Sequence, residues 1–359
     1  MNTPPLQGPP PPTLQQPTKS VPTEERKWPN VSVIIITKGR HTQAEAAVAS
    51  VLADDYPAHC REVLVIEETS RPFPITGPGV RYHALPEENR GFPFARNEGV
   101  RLALHDVIAF TDDDCLVERG WLKALVSGLL QTPPPGQDPV VAVAGAVRVP
   151  PCGPIGECES ILGFPGGGVK YLYQLGGSPS DVSTFSTCNC ALRRSDLLAT
   201  GGFDETLRHG GEDERLARRL SATGRIVYHP AAVVRHTPRD SIPGIWRWFV
   251  RRGQARADAL RSDSTAWRHT PELLRNSPFV RLATASLVLG ALFGWFAIPT
   301  LIALLLLHAG FILWRFRWSS RYYPGWCTRL CLPMVKLIMD MAYDWGLARG
   351  LWRSKRSRI

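Results

Sequence analysis

The sequence predicts an α/β fold in which a mostly parallel sheet is flanked by helices. Two observations support this class: runs rich in Val and Ile alternate with segments of helical periodicity, and the runs are apolar at consecutive positions. Strands buried on both faces need such continuous runs, and they are typical of parallel sheets. The predicted strands cover residues 31–37, 63–67, 107–111 and 140–147, and the predicted helices cover 43–52, 95–104 and 121–130.

The composition of residues 1–29 predicts a disordered arm. They contain nine prolines among Gln and Thr, and their few apolar side chains cannot offset the entropy lost on ordering. The arm also lacks the apolar run of a cleavable signal peptide. The eight cysteines of the chain show neither a disulfide framework nor paired zinc-type spacing, so we expect reduced thiols in a cytosolic compartment.

Charge is unevenly distributed along the chain. Residues from 235 onward contain 20 Lys and Arg against 6 Asp and Glu, whereas the preceding residues contain 22 against 26. The basic last third predicts an anionic surface as its partner. A nucleic-acid partner is disfavoured, because these charges surround an apolar segment and not an aromatic-interleaved groove. The length of 359 residues and the hydrophobic content of 44% exclude a peptide hormone or a disordered regulator.

The apolar segment, residues 282–314, contains no Asp, Glu, Lys or Arg. As one helix its 33 residues would measure about 50 Å, well beyond a hydrocarbon core of about 30 Å. Pro299 lies near its middle, and arginines flank it at positions 275 and 281 and again at 315, 317 and 321. The segment predicts a transmembrane helical hairpin at about 280–315 with both ends in the cytoplasm. The alternative is a buried hairpin of a soluble domain.

Residues 332–352 predict an interfacial helix. Lys336, Asp340 and Asp344 recur at four-residue spacing and form a polar stripe on an otherwise apolar helix. The basic residues at 353–358 suit anionic lipid headgroups, and a solvated charge run is the alternative. The chain thus divides into a Pro-rich arm (1–29), an α/β domain (30–260) and a C-terminal membrane region (261–359).

Three adjacent carboxylates, Asp112, Asp113 and Asp114, directly follow a predicted strand. Open α/β sheets bind ligands at the carboxyl ends of parallel strands, and crowded carboxylates require a cation. Mg²⁺ and Mn²⁺ accept carboxylate oxygens and leave positions open for substrate phosphates. The alternative is that these residues only cap the following helix and favour its dipole.

A second acidic site follows a glycine pair about a hundred residues later. Glu212 and Asp213 precede an apolar i, i+4 pair and so begin a helix, where Asp213 can serve as a general base or merely favour the helix dipole. Arg90 and Arg96 lie before the aspartate strand and can meet a pyrophosphate, pair with the carboxylates or remain on a helix surface. The chain has no phosphate-binding P-loop, and its Gly166–Gly168 run lacks the context of a dinucleotide fingerprint.

Taken together, these motifs resemble the family 2 glycosyltransferases, which are inverting enzymes of GT-A fold that use nucleotide-sugar donors. The resemblance extends from residue 31 to about 240 in the order of the family. It rests on residues 33–37 with Arg40, 65–70, 89–91, 95–97 with Gly99, 110–114, Asn189 with 193–194, 201–205, 211–213 and 234–236.

The resemblance implies roles for the matching residues. Thr37, Arg40 and Glu67 would contact the nucleoside of the donor. Asp112 and Asp114 would contact the ribose, the diphosphate and a Mg²⁺ or Mn²⁺ ion. The remaining implied roles are metal or diphosphate contact for His236, catalytic base for Asp213, and contact with the donor diphosphate for Arg251 and Arg252.

The sequence departs from the family in two respects. Glu67 and Glu68 replace the usual Asp, so the carboxylate reaches one methylene further. The Gln-x-x-Arg-Trp motif of processive synthases is missing after His236, which favours a single transfer.

We therefore expect a membrane-anchored enzyme whose catalytic domain lies in the cytoplasm. It would move a sugar from a nucleotide-sugar donor to a hydroxyl of a glycan or lipid-linked acceptor, in the assembly of a cell-surface polysaccharide, a glycolipid or a related glycan. The alternative is a catalytically inactive, membrane-tethered protein that binds a nucleotide-sugar.

Overall fold

The computed structural model describes residues 28–207, 209–262, 288 and 297–356. Its strands are β1 (Val31–Thr37), β2 (Arg61–Glu68), β3 (Val80–Leu85), β4 (Val107–Asp112), β5 (Cys115–Val117), β6 (Val140–Arg148), β7 (Ser180–Val182), β8 (Asn189–Arg193) and β9 (Arg225–His236). Its α-helices are α1 (His41–Leu52), α2 (Phe92–Leu102), α3 (Trp121–Leu129), α4 (Pro154–Ile161), α5 (Gly168–Leu175), α6 (Arg194–Ala199), α7 (Glu212–Leu220), α8 (Ile242–Ser262), α9 (Ala297–Arg315) and α10 (Trp326–Arg356).

The strands form one mixed sheet in the order β3-β2-β1-β4-β8-β6-β9-β5, with β7 paired to β9. Strands β3, β2, β1 and β4 are parallel, as the sequence predicts for the first half of the domain. The second half differs, because β8 runs antiparallel to both β4 and β6. The α/β class and the flanking helices are therefore confirmed, whereas the sheet is less uniformly parallel than the sequence indicates.

Both faces of the sheet are covered, which explains the continuous apolar runs. Val33 and Ile35 lie in the apolar cluster formed with α1 and α3, and Ile34 and Ile36 lie in the cluster formed with α2 and α7. Successive side chains of a strand point to opposite faces, so each position of β1 needs an apolar residue. The predicted helices 43–52, 95–104 and 121–130 correspond to α1, α2 and α3 with ends shifted by up to three residues.

The parallel register aligns the strand ends that the sequence singles out. Thr37 at the end of β1 pairs with Glu67 of β2, and Ile36 pairs with Asp112 of β4. The short strand β5 pairs antiparallel with the end of β9, and this places Cys115 opposite His236. Residues distant in sequence therefore meet at one edge of the sheet.

Two C-terminal helices pack lengthwise against each other. Glycines allow the close approach: a Cβ added at Gly253 of α8 would lie 2.1 Å from the Tyr343 carbonyl oxygen, and one at Gly346 of α10 would lie 2.0 Å from that of Val250. The predicted interfacial helix 332–352 lies within α10. One of its faces joins an apolar cluster with α4 and α8, and Trp345 on another face is exposed.

Helix α9 is apolar and mostly exposed. Among the described residues it is the one helix long and apolar enough to cross a membrane, over Ile298–Arg315, of which 11% is buried. Length and composition alone are weak grounds for a membrane span. The first half of the predicted hairpin, up to residue 296, lies outside the described residues apart from residue 288, so the hairpin stays a prediction.

Asn189 at the start of β8 joins three elements beneath the sheet edge. Trp121 Nε1 donates a 2.8 Å hydrogen bond to Asn189 Oδ1. Asn189 Nδ2 in turn donates to the carbonyl oxygens of Ala146 and Ala232, each at 2.8 Å. Gly145 leaves the space for this amide, since an added Cβ would lie 2.3 Å from Asn189 Nδ2. The buried amide therefore links α3, β6 and β9.

We predict that Asn189→Ala lowers the free energy of unfolding of the full chain in detergent by about 3 kcal/mol or more. The substitution leaves a buried indole N–H and two buried carbonyls unpaired, and each unsatisfied group costs about 1–3 kcal/mol. Urea unfolding followed by tryptophan fluorescence measures the change. Gln131→Ala removes an exposed side chain after α3 and should change stability by less than about 0.5 kcal/mol. A loss below about 1 kcal/mol for Asn189→Ala would contradict the role of this amide.

Candidate active site

A cavity of about 580 Å³ opens at the carboxyl ends of β1 and β4. Its wall contains nine of the eleven predicted site residues: Thr37, Arg40, Arg96, Asp112, Asp114, Asp213, His236, Arg251 and Arg252. Glu67 and Arg90, which the structure also describes, lie outside this wall. The position at the carboxyl edge of a largely parallel half-sheet is where ligands bind in open α/β folds.

The middle carboxylate of the aspartate cluster is held by the protein itself. Thr37 Oγ1 donates a 2.8 Å hydrogen bond to Asp113 Oδ2, and Arg40 Nη2 lies 2.9 Å from Asp113 Oδ1. Burial raises the pKa of Asp113 to about 6, against the opposing charge of Arg40. Arg40 Nη1 also lies 2.9 Å from Asp114 Oδ2. Thr37 and Arg40 thus orient the cluster through Asp113, which the sequence does not distinguish from its neighbours.

His236 faces the last aspartate of the cluster through one ring nitrogen. Its Nδ1 lies 2.9 Å from the Thr237 carbonyl oxygen and donates to it. Its Nε2 lies 3.4 Å from Asp114 Oδ1. A histidine that donates its second nitrogen to a backbone carbonyl is typical of metal-ligating histidines.

The side chains at this edge fit a divalent metal. Ligand atoms of Asp114, Cys115 and His236 all lie within 4.8 Å of one another. Burial raises the pKa of the Cys115 thiol well above its usual range, and sulfur is a soft ligand that suits a hard cation poorly. The predicted ligands Asp114 and His236 remain. Carboxylate and imidazole ligands of this kind suit Mn²⁺ or Mg²⁺.

Arg96 of α2 connects the two acidic sites of the cavity. Its Nη2 lies 3.3 Å from Asp112 Oδ1 and its Nη1 lies 2.5 Å from Glu212 Oε1, while the residue is only 5% exposed. Burial disfavours the charge, but Glu212, Asp112 and Asp213 together raise the pKa of Arg96 above its ordinary value. Of the roles the sequence leaves open for Arg96, the structure shows the pairing with carboxylates.

Asp213 lies in the first turn of α7, where the backbone supports a carboxylate. Gly211 precedes the helix with φ +88°, a left-handed conformation that favours glycine. Asp213 Oδ1 accepts a 2.8 Å hydrogen bond from the Glu214 amide. Burial and the charge of Glu212 raise the pKa of Asp213 to about 7, against the opposing charges of Arg96 and Arg252. A carboxylate with a pKa near neutrality suits proton transfer at physiological pH.

The two glutamates at the end of β2 lie behind the cavity wall. Tyr82 donates a short hydrogen bond to Glu67 Oε2, and His41 Nδ1 lies 3.3 Å from Glu67 Oε1. Glu68 accepts a hydrogen bond from the Asn89 amide. These contacts occupy Glu67 with protein partners, and its predicted contact with a nucleoside stays a prediction.

Arg90 lies outside the cavity wall and is half-exposed. Its Nη2 lies 3.2 Å from Glu205 Oε2, its guanidinium stacks 3.4 Å from the centre of the Phe94 ring, and its side chain is 45% exposed. Asn97 also donates to Glu205, at 2.9 Å. In the described structure Arg90 therefore has a surface ion pair that connects α2 with the loop before α7.

Two further residues belong to the site, and sequence patterns do not indicate them. Arg239 lines the cavity and stacks 3.8 Å from the centre of the Trp248 ring. Glu159 of α4 is fully buried and accepts hydrogen bonds from Arg239 Nη1 at 2.9 Å and from the Arg239 amide at 2.7 Å. The only sequence signal for Arg239 is its position three residues after His236, and Glu159 has none.

Arg251 and Arg252 of α8 line the cavity at different places. Arg251 Nε donates to the His209 carbonyl oxygen at 3.2 Å, and the charges of Glu212, Arg239 and Arg96 act on it. Burial lowers the pKa of Arg251. Arg252 lies beside Asp213 and stacks 4.9 Å from the centre of the Phe164 ring.

The chain is similar to known glycosyltransferases. Residues 32–149 match the family model described as Glycosyl transferase family 2. The pre-mycofactocin glycosyltransferase of Mycobacterium tuberculosis is 32% identical over 169 residues, which cover 46% of this chain and 33% of that protein. The glucosyl-dolichyl phosphate glucuronosyltransferase of Haloferax volcanii is 28% identical over 228 residues, which cover 57% and 68%. The chain thus spans about a third of the length of the first of these relatives.

A solved structure shares the fold. A mannosyltransferase from Pyrobaculum calidifontis, in complex with GDP-Man and Mn²⁺, superposes with a TM-score of 0.54 at 20% identity, covering 95% of this chain and 92% of that chain. The family match includes the aspartate cluster at the edge of the sheet, and the shared fold extends beyond it to the segment that holds Asp213. Residues 32–149 are thus similar to the glycosyl transferase family 2, and the fold of the chain is of the GT-A type.

Proposed function

We propose that the protein is an inverting glycosyltransferase that moves one sugar from a nucleotide-sugar donor to a hydroxyl of a glycan or lipid-linked acceptor. One observation carries the proposal: a metal-binding group of side chains and a separate carboxylate with a pKa of about 7 face the same cavity, one on each side of Arg96. Activation of a diphosphate leaving group and removal of a hydroxyl proton need two such sites.

On the donor side, Asp112, Asp114 and His236 would hold Mg²⁺ or Mn²⁺. When bound, such an ion neutralises charge on the diphosphate of the leaving nucleotide. Arg239 and Arg251 supply further positive charge, and Glu159 holds the Arg239 guanidinium in the cavity wall. Thr37, Arg40 and Glu67 lie at or next to the ends of β1 and β2, which supports a nucleoside position at this edge.

On the acceptor side, Asp213 would act as the general base. It accepts the proton of the acceptor hydroxyl while the hydroxyl oxygen forms a bond to the anomeric carbon and the bond from that carbon to the diphosphate oxygen breaks. Both electrons of the broken bond leave with the nucleoside diphosphate. A single displacement inverts the anomeric carbon, and no covalent intermediate with the protein is required.

Membrane attachment through α9 would bring the cavity to a lipid-linked acceptor. Helix α9 exposes Ile298, Leu306, Leu307 and Trp314, and helix α10 joins it to the catalytic domain through α8. The arginines that flank the apolar segment favour a cytoplasmic catalytic domain. The supply of nucleotide-sugars inside the cell agrees with that orientation.

We predict that Asp213→Asn lowers the turnover number of donor hydrolysis or transfer by about 10²–10⁴-fold and leaves donor affinity nearly unchanged. The amide keeps the shape of the side chain but accepts no proton, and general-base catalysis contributes effects of that size. Steady-state rates with a panel of nucleotide-sugars and calorimetric donor binding measure the two quantities. Glu214→Gln, on an adjacent exposed side chain, is the matched control and should keep normal turnover. An equal loss of binding and rate would assign Asp213 to the donor instead.

The pH dependence of the turnover number tests the same role independently. A base works only when unprotonated, so a pKa raised to about 7 predicts little activity below pH 6 and a rise through about pH 7 to a plateau. The residual turnover of Asp213→Asn should not show this fall in rate below about pH 7. An unchanged fall in rate in the variant would show that another group carries the proton.

We predict that His236→Ala raises the Mn²⁺ concentration needed for half-maximal donor hydrolysis by at least about tenfold. The variant loses the imidazole beside Asp114, and even groups that only orient metal ligands contribute about 10–100-fold in affinity. Isothermal titration of Mn²⁺ gives a readout without turnover. Cys115→Ala is the control, since sulfur is a soft ligand that suits a hard cation poorly. A shift for Cys115→Ala but not for His236→Ala would reverse the ligand assignment.

We predict that the full chain stays in the membrane fraction after a carbonate wash, because α9 exposes a continuous apolar surface. A double substitution, Leu306→Lys with Leu307→Lys, should release a measurable part of the protein, since a charged side chain at the centre of a span costs about 2.5–3.5 kcal/mol. Fractionation followed by immunoblotting measures the distribution. Leu198→Lys, at an exposed position of α6, should leave the distribution unchanged. Recovery of the unaltered chain in the high-speed supernatant would exclude a membrane anchor.

A further inference from the structure

One part of the cavity wall presents cations that the reaction described above does not use. Lys170 of α5 packs its side-chain stem on Gly163, where an added Cβ would lie 3.1 Å from Lys170 Cδ. Arg252 stacks on the ring of Phe164, the next residue along the chain. Lys170 and Arg252 therefore flank the same short segment, and both line the cavity.

Within the described residues, neither of these cations forms an ion pair with a carboxylate. Other cations of the region do: Arg239 lies 2.9 Å from Glu159 Oε1, and Lys336 lies 2.5 Å from Asp340 Oδ1. Arg252 is close enough to Asp213 to stabilise its charged form. Cations that face a cavity without a carboxylate partner favour an anionic ligand.

Two further cations, Arg315 and Lys336, lie close enough to Lys170 for their charges to act on it. Burial lowers the pKa of Lys170, and the neighbouring charges of Arg315 and Lys336 lower it further. Arg315 is the last residue of α9, the apolar helix, so the cationic wall continues from the cavity to the end of that helix. Asp340 already compensates Lys336, and an anion bound at Lys170 would relieve the remaining repulsion between Lys170 and Arg315.

We propose that the acceptor is a lipid-linked sugar phosphate, and that Lys170 and Arg252 bind its phosphate while Asp213 faces the attacked hydroxyl. The proposal rests on the glycosyltransferase function proposed above and names the class of its acceptor. The order of groups along the wall carries it: the base, then two cations without carboxylate partners, then the exposed apolar surface of α9. A lipid-linked sugar phosphate presents its hydroxyl, its anion and its apolar chain in the same order.

The wall assigns Arg252 to the acceptor, although the sequence predicts a contact with the donor diphosphate. The charges of Glu212, Arg239 and Arg96 act on Arg251, the preceding residue. Successive helical residues point about 100° apart, so these two arginines serve different parts of one cavity.

Binding of decyl phosphate to the full-length protein in nonionic detergent tests the proposal without turnover. The titration is carried out with Mn²⁺, UDP and GDP present, so that the donor side is filled. Decyl phosphate should bind at least about tenfold more tightly than decyl glucoside, which has a neutral headgroup. Lys170→Met and Arg252→Met should each weaken decyl phosphate binding about tenfold, the loss expected for one charge-assisted hydrogen bond.

Arg261→Met is the matched control, because Arg261 is an exposed arginine of the same helix that pairs with Asp258; it should bind decyl phosphate normally. Inorganic phosphate separates the two possible sources of the anion and should bind more weakly than decyl phosphate, with the same dependence on Lys170 and Arg252. Equal binding of inorganic phosphate and decyl phosphate would overturn the lipid part of the proposal. Normal decyl phosphate binding by both variants would overturn the assigned site.

The readouts distinguish this proposal from the function on which it rests. If the wild-type protein shows no Mn²⁺-dependent binding of UDP or GDP, the donor site is refuted, whether or not decyl phosphate binds. Competition between decyl phosphate and the nucleotides would place the anion on the donor side and overturn the acceptor assignment alone.

Discussion

The ion-pair bridge of Arg96 is the contact on which the arrangement of the cavity depends. A buried guanidinium joins Asp112, at the end of β4, to Glu212, in the first turn of α7, and so fixes the position of the aspartate cluster relative to the helix that carries Asp213. Removing one partner of a buried ion pair costs about 3–5 kcal/mol, because the other charge remains buried without compensation. Burial raises the pKa of Asp112, and the charge of Arg96 opposes that shift.

The mixed sheet explains why the two sites share one cavity. The parallel strands β1, β2 and β4 end at one edge and deliver Thr37, Glu67 and Asp112 there, whereas antiparallel β8 begins at that edge with Asn189. The side chain of Asn189 forms hydrogen bonds with β6, β9 and α3 and so links these three elements. The end of β9 reaches the aspartate cluster by pairing with β5, which brings His236 beside Asp114.

The parallel half of the fold and most of the site could be predicted from the sequence, because their signals are local. Continuous Val and Ile runs mark β1, β2 and β4, and the aspartates directly follow one of these runs. Strands β5, β7 and β8 are three to five residues long and are defined by pairing with distant strands. Their hydrophobic periodicity is therefore too short to predict them from the sequence. Long-range contacts explain the residues that the sequence did not indicate, since Glu159 orients Arg239 across 80 residues.

The stereochemistry of sugar release tests the central claim most directly, because the claim is a single displacement assisted by Asp213. Proton NMR of the anomeric signal, recorded in the first minutes of Mn²⁺-dependent donor hydrolysis before mutarotation, identifies the anomer that is formed with water as the acceptor. An inverting displacement predicts that the first sugar released has the anomeric configuration opposite to that of the donor. Release of the sugar with its configuration retained would require two displacements and would contradict the assignment of Asp213 as a base.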